Sequence, residues 1–130
     1  MSIKYTDAGR SEAGYKGKKD CGIRAVVIAT GMAYKDAQKL LRKHAKNGRK
    51  GKGSISNGIF KEDFNSALEE LGFKWFSAPK FDGRKARYSD IDGVAILRMS
   101  KHYVTVVDGV LHDSFDSRHK MVYGYWKKVA

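Results

Sequence analysis

Hydrophobic positions at helical spacing mark the first half of the chain. Ile23, Val26 and Val27 recur at intervals typical of one helix face, with alanines between them and Gly31 after them. This pattern predicts a helix that begins at Cys21 and ends at Gly31, because glycine readily adopts the left-handed conformation found at helix ends.

Two amphipathic helices are predicted downstream. The first runs from Tyr34 to about Ala45, with apolar residues on one face and lysines and arginines outside it. The second ends at Gly72 and carries acidic residues in an early turn, as helix starts favour. Its apolar positions step by three or four residues: Phe60, Phe64, Leu68 and Leu71.

Beyond residue 72 the apolar residues alternate, which is typical of strands. The dipeptide Asp108-Gly109 between two alternating segments predicts a tight hairpin. The predicted strands are 73–76, 93–99, 102–107, 110–113 and 121–128. Helices first and strands second predict an α+β fold, with N-terminal helices packed on a C-terminal antiparallel sheet.

The chain divides into a short lead-in and one domain. Residues 1–19 contain few apolar residues and are rich in Gly, Ser and Lys, so we expect a loosely packed basic arm. We expect residues 20–130 to form a single domain, because a chain of 130 residues is long enough to bury a hydrophobic core.

Composition narrows the chemistry and the compartment. The single cysteine excludes an internal disulfide and a zinc site built from several cysteines. No HxH or HExxH motif occurs, so we expect no metal and no cofactor. The longest aliphatic run, 25–29, is far shorter than the ~20 residues of a membrane span, and no secretory signal opens the chain. We therefore expect a cytoplasmic protein without a membrane partner.

Cys21 is the first candidate for chemistry. A thiol at a helix start faces unpaired N–H groups and the positive end of the helix dipole, which favour the thiolate; Lys18 and Lys19 add positive charge. Asp20 is expected to cap the same helix. A small buried core residue is the alternative interpretation of Cys21.

A base for this thiol is predicted at the end of the hairpin. Pairing around Asp108-Gly109 brings His102, at the start of one strand, close to Asp113, at the end of the next. The carboxylate can orient the imidazole and leave its other nitrogen for Cys21, which is the layout of a catalytic triad. Asp116 is the rival third member, and Asp113 as a simple strand end is the alternative.

These segments resemble a known superfamily. "DCGIRAVVIATGMAYKDAQKLL" followed by "HYVTVVDGVLHDSFDS" is similar to the papain-like cysteine peptidases, in particular the C39-like branch and small phage-encoded proteins of the same pattern. The resemblance implies a papain-like fold with Cys21 as nucleophile, His102 as general base and acid, and Asp113 as the orienting residue. It also implies a protein or peptide substrate and, for a phage protein, the cytoplasm of the host.

The sequence departs from that family at one position. Papain-like enzymes usually have a glutamine about six residues before the cysteine, where its amide completes the oxyanion hole. Here Tyr15 occupies that position, and no glutamine precedes Cys21. The Tyr15 hydroxyl and the Cys21 backbone N–H are the candidate donors; losing one such donor typically costs ~10²–10³ in rate.

The net charge of +12 predicts attraction to polyanions and acidic partners. Positive charge next to Cys21 favours acidic substrates, although a charged surface that is only solvated by water is the simpler interpretation. The alternative function is an inactive papain-like scaffold that binds a host protein or nucleic acid through this surface, although no nucleic-acid-binding motif is visible. The candidate surface consists of Lys16, Lys18, Lys19, Arg42, Lys43, Lys46, Arg49, Lys50 and Lys52.

Overall fold

The computed structural model describes residues 2–14, 19–46, 55, 58–78 and 86–129. Within these ranges the fold is α+β, with three helices packed on a six-stranded mixed sheet. The helices are α1 (Cys21–Thr30), α2 (Tyr34–His44) and α3 (Lys61–Glu70), with a 3₁₀ turn at Tyr88–Asp90. The strands are β1 (Ile3–Tyr5), β2 (Phe73–Ser77), β3 (Val94–Met99), β4 (His102–Val107), β5 (Val110–Asp113) and β6 (Val122–Lys128).

The helices follow their sequence signals closely. α1 begins at Cys21 and ends at Thr30, and Gly31 follows it with a φ of 78°, the left-handed conformation predicted for it. α3 ends at Glu70, two residues before Gly72, which has a φ of 86°. The predicted helix bounds are therefore confirmed to within a residue or two, because apolar spacing and glycine stops act locally.

The sheet has the order β1-β5-β4-β3-β6-β2. Every neighbouring pair is antiparallel except β1 and β5, which run parallel with Ile3 opposite Leu111 and Tyr5 opposite Asp113. The predicted purely antiparallel sheet is thus wrong at this edge. The expectation of a loose arm is also wrong for residues 3–5, because Ile3 is buried against the sheet.

The core lies on both faces of the sheet. On the helical face Phe64 and Leu68 pack with Trp126, while Leu97 and Leu111 belong to a second cluster that includes Ile91 before β3. The Thr105 hydroxyl donates a hydrogen bond of 2.7 Å to the Ala25 carbonyl, which ties α1 to β4. This packing brings the start of α1 to the end of the sheet where β4 begins and β5 ends.

None of the helices in the described ranges is long and apolar enough to cross a lipid bilayer.

Candidate active site

Cys21 is the first residue of α1 and is half-buried. The first backbone hydrogen bond of the helix runs from the Arg24 N–H to the Asp20 carbonyl, at 3.0 Å. The N–H groups from Cys21 to Ile23 therefore have no acceptor inside the helix. They point toward the helix start, where they favour a thiolate or an oxyanion.

The glycine after the cysteine allows close packing at this point. A Cβ on Gly22 would lie 3.1 Å from Ile59 Cγ2 and 3.4 Å from Phe64 Cε1. Residue 22 must therefore be small if the segment before α3 is to pack against the start of α1. The Tyr103 hydroxyl holds that segment by donating a hydrogen bond of 3.1 Å to the Ile59 carbonyl.

The β4–β5 hairpin brings His102 and Asp113 together as its register requires. Val107 pairs with Val110 across the turn, and the two strands then run side by side, so that residues 102 and 113 lie at the same end of the hairpin. His102 Nε2 lies 2.6 Å from Asp113 Oδ2, and the two side chains are only 5% and 1% exposed. The imidazole is therefore fixed by a short, shielded, charge-assisted contact.

The Cys21 thiol also acts on the His102 side chain, and its interaction with the ring contributes to the pKa of the imidazole. Because Asp113 engages Nε2, Nδ1 is the ring nitrogen left for sulfur. Burial alone would lower the pKa of His102, but the hydrogen bonds to Asp113 and Cys21 and their negative charges outweigh it and raise the pKa from 6.5 to about 9. At neutral pH the ring is an imidazolium beside the sulfur.

Each carboxylate oxygen of Asp113 accepts two hydrogen bonds. Oδ1 accepts from Arg24 Nη1 and the Ser114 N–H, both at 2.8 Å, while Oδ2 accepts from Ser117 Oγ at 2.6 Å as well as from His102. Burial favours the protonated acid, but the bonds to His102 and Ser117 prevail, so the pKa of Asp113 lies below its ordinary value. The carboxylate is therefore ionised and held in one orientation.

Asp20 differs from its predicted role. It occupies the residue before α1, yet its side chain makes no capping hydrogen bond. Its fully buried carboxylate instead accepts from Arg10 Nη1 at 3.1 Å, from Arg24 Nε at 3.0 Å and from the Tyr34 hydroxyl at 2.7 Å. The prediction of a capping bond is wrong, because the charge-assisted bonds of Asp20 to guanidinium groups are stronger than its bond to a backbone N–H of the helix would be.

Asp116 has a separate environment from the site. Its carboxylate is exposed and pairs with Arg118, with contacts of 2.7 and 2.9 Å. The bond to the Arg118 side chain lowers the pKa of Asp116 to about 2. Of the two candidate acids, Asp113 is therefore the one that contacts His102.

Phe115 covers one side of the imidazole. Its ring centroid lies 4.9 Å from that of His102 at a tilt of 48°, and the residue is 43% exposed. The exposed aromatic ring thus lies between the imidazole and solvent. Sequence patterning did not reveal this contact because residue 115 follows the last residue of β5 in a turn without periodicity.

The remaining predicted residues are only partly described. Tyr15, Lys16, Lys18, Arg49, Lys50 and Lys52 lie outside the described residues. Lys19, Arg42, Lys43 and Lys46 are exposed. Lys43 Nζ lies 2.8 Å from Glu70 Oε1, so its charge is partly balanced. Of the two candidate oxyanion donors, the structure describes the Cys21 N–H.

Arg24 is the principal residue that the sequence interpretation missed. Its side chain is 7% exposed and bridges Asp20 and Asp113. The sequence does contain a signal for this bridge: the arginine inside the apolar segment "GIRAVV" lies four residues after an aspartate. A charged residue among helix core positions needs a buried counter-ion, and Asp20 is in reach.

No group of three metal-binding side chains is found among the residues that the structure describes. In comparisons with known proteins, no family model, no curated protein and no solved structure matches this chain.

Proposed function

We propose that this protein is a cysteine hydrolase of papain-like design, acting as a peptidase, isopeptidase or deamidase. The observation that carries the proposal is the position of His102 between two partners. Asp113 holds Nε2 at 2.6 Å, and the Cys21 thiol at the start of α1 interacts with the same ring and contributes to its raised pKa. A nucleophile, a base and an orienting acid in contact form the arrangement that nucleophilic catalysis requires.

The reaction follows from these contacts. The Cys21 sulfur attacks a carbonyl carbon as thiolate, and the negative charge that forms on the oxygen is stabilised by the N–H groups at the start of α1. The His102 imidazolium then gives its proton to the leaving nitrogen, and the carbon–nitrogen bond breaks to leave a thioester on Cys21. Neutral His102 next removes a proton from water, which attacks the thioester and releases a carboxylic acid and the thiol.

The substrate class follows from the same chemistry. Peptide, isopeptide and glutamine side-chain amides all contain a carbonyl with a nitrogen leaving group, and all pass through the same thioester. The exposed Lys19 lies two residues before Cys21, and the net charge is +12. Both favour a protein or peptide substrate with acidic residues near the bond that is cleaved.

The test is alkylation of Cys21 with iodoacetamide at pH 7, followed by intact mass. We expect His102→Ala to lower the rate by about 100-fold, because the imidazole that stabilises the thiolate is lost. His112→Ala is the matched control: it removes a half-buried histidine of the same hairpin and should leave the rate unchanged. Equal rates in the wild type and His102→Ala would contradict the proposal.

Alkylation reports a reactive thiol, and a second measurement reports acyl transfer. We expect p-nitrophenyl acetate to acetylate Cys21 and the acetyl group then to be released in water. Release should slow in His102→Ala, because no base activates the water. An acetyl thioester that is released at the same rate in both proteins would contradict the role of His102 in hydrolysis.

A second candidate function is favoured by one face of α2. Lys35, Lys39 and Arg42, with Lys46 just beyond the helix, follow the spacing i, i+4, i+7 and i+11 that places residues on one face. All four are exposed, and among the described residues none of them forms an ion pair. A row of unbalanced cations is suited to a nucleic acid backbone, and this binding does not require the triad.

A further inference from the structure

We propose that Arg24 is a positioning residue that fixes the His102–Asp113 pair of the sheet to the helix start that carries Cys21. This inference deepens the proposed function and rests on it. Arg24 makes no hydrogen bond to the sulfur or the imidazole; its side chain bonds the carboxylates of Asp20 and Asp113 and the Ser114 hydroxyl, and through the two carboxylates it holds the neighbours of both groups in place.

The geometry of the guanidinium is the first support. Arg24 Nε donates to Asp20 Oδ1 at 3.0 Å, and Nη1 donates to Asp113 Oδ1 at 2.8 Å and to Ser114 Oγ at 2.7 Å. Asp20 directly precedes Cys21, and Asp113 directly contacts His102. One planar group therefore spans the covalent neighbour of the nucleophile and the partner of the base.

The contacts close a ring. It runs from Cys21 along the backbone to Asp20, through Arg24 to Asp113, then to His102 and back to the sulfur. Its two halves lie in distant parts of the chain, and the hydrogen bond from the Thr105 hydroxyl to the Ala25 carbonyl also joins α1 to β4 nearby. The ionic bridge through Arg24 adds a fixed attachment that restricts how far the thiol and the imidazole can separate.

Burial makes this bridge specific to arginine. The Arg24 side chain is 7% exposed, and those of Asp20 and Asp113 are 0% and 1% exposed. Buried charges of this kind need good geometry from every partner, and the guanidinium offers donors at fixed angles that a lysine ammonium cannot reproduce. Arg24→Lys thus keeps the charge and removes the two-point attachment.

The test compares Arg24→Lys with Arg118→Lys, which alters an exposed arginine–aspartate pair near the end of the same hairpin. We expect Arg24→Lys to lower the rate of Cys21 alkylation by about tenfold and Arg24→Gln by about 100-fold, since a 1 Å displacement in an active site can cost that much. Arg118→Lys should react as the wild type does. A wild-type rate in Arg24→Lys overturns the inference.

A second measurement separates positioning from simple stabilisation. The charged or titratable groups facing His102 are Asp113 from β5 and Cys21 from α1, and Arg24 acts on it through Asp113. We expect the midpoint of the His102 titration, followed by NMR of the ring nitrogens, to move to lower pH in Arg24→Lys because Asp113 turns away. An unchanged midpoint, or one that moves to higher pH, contradicts positioning.

Poor folding of a variant and failure of the proposed function give results that differ from failure of the inference about Arg24. If neither Arg24 variant folds, Asp20→Asn removes the same attachment from its other end and should slow alkylation in the same direction; a wild-type rate there overturns the inference. If wild-type alkylation does not depend on His102, the proposed function fails first. If it depends on His102 but not on Arg24, only the inference about Arg24 fails.

Discussion

At the scale of residues, the site depends on how Asp113 distributes its contacts. Each of its oxygens has a charged partner, Arg24 on one side and His102 on the other. Rotation of the carboxylate would break both contacts in a region that water does not reach. Asp116, only three residues away, has an exposed partner and no such constraint. Proximity in sequence is thus a poor guide to which acid orients the histidine.

The raised pKa of His102 predicts a pH-dependent stability. The folded-state value is about 9 against an ordinary 6.5, so the stabilising contribution is complete below pH 6.5 and is lost as pH rises through 9. We expect the unfolding free energy of the wild type to fall across this range by up to about 3 kcal/mol more than that of His102→Gln. Urea unfolding at both pH limits measures it.

The difference between the two proteins isolates His102 from other groups that titrate in the same range. Parallel stability curves for the wild type and His102→Gln would show that the imidazolium gains nothing from Asp113 and Cys21. A stability advantage of the wild type over His102→Gln that grew toward high pH would contradict the sign of the shift.

At the scale of elements, the β4–β5 hairpin transmits the geometry of its turn to the site. Asp108 and Gly109 both have positive φ, 48° and 84°, which matches the twist of a tight two-residue turn. The ladder that starts at Val107 and Val110 runs to Thr105 and His112, and Asp113 and His102 lie beyond it at the same end of the hairpin. The turn therefore fixes the register that places base and acid side by side.

Gly109→Ala tests whether the turn stabilises the fold without taking part in the chemistry. A Cβ at a φ of 84° is strained, although nothing lies within 4 Å of it. We expect the free energy of unfolding to fall by about 1–2 kcal/mol while the alkylation rate of Cys21 in native buffer stays unchanged. Urea unfolding and intact mass measure the two effects.

A tenfold slower alkylation in folded Gly109→Ala would contradict this separation, because it would mean that strain at the turn reaches the other end of the hairpin. Unchanged stability would show that the turn does not need glycine.

Elements with strong local signals could be predicted from the sequence, whereas pairings over long distances could not. Gly31 and Gly72 ended their helices as expected, and the Asp-Gly turn gave the register of His102 and Asp113. β1 was missed because three residues carry no periodicity and its partner lies at residues 111–113. The bridge made by Arg24 was missed because it joins α1 to β5, a contact that spacing along the chain does not encode.

At the scale of the whole molecule, the excess of positive charge attracts polyanions from any direction, and only an ordered row of cations gives a defined surface. The face of α2 formed by Lys35, Lys39, Arg42 and Lys46 is such a row. Lys43, by contrast, is balanced by Glu70 on α3. The proposed binding through this face and the proposed catalysis through Cys21 are thus separable by mutation.

We expect the change of all four α2 cations to glutamine to weaken binding to duplex DNA. The slope of log affinity against log salt should fall by up to about 3.6 if each cation contacts one phosphate. The control changes four other exposed lysines, Lys4, Lys74, Lys101 and Lys128, and alters the net charge equally. Fluorescence anisotropy of a labelled duplex across a salt series measures both.

Equal losses in the two quadruple variants would indicate attraction by net charge alone and would remove the α2 face as a binding surface. Cys21→Ser should bind DNA as the wild type does, since the thiol takes no part in this contact.

β1 joins the beginning of the chain to the last residue of β5. The Thr6 N–H donates a hydrogen bond of 2.8 Å to the Asp113 carbonyl, while the Asp113 side chain holds Arg24 and His102. During synthesis the thiol is made long before the acid that completes its surroundings. Under the proposed function, a nascent or partly folded copy lacks the His102–Asp113 pair beside its thiol, and we expect reactivity toward neighbouring proteins only after β5 and β1 have docked.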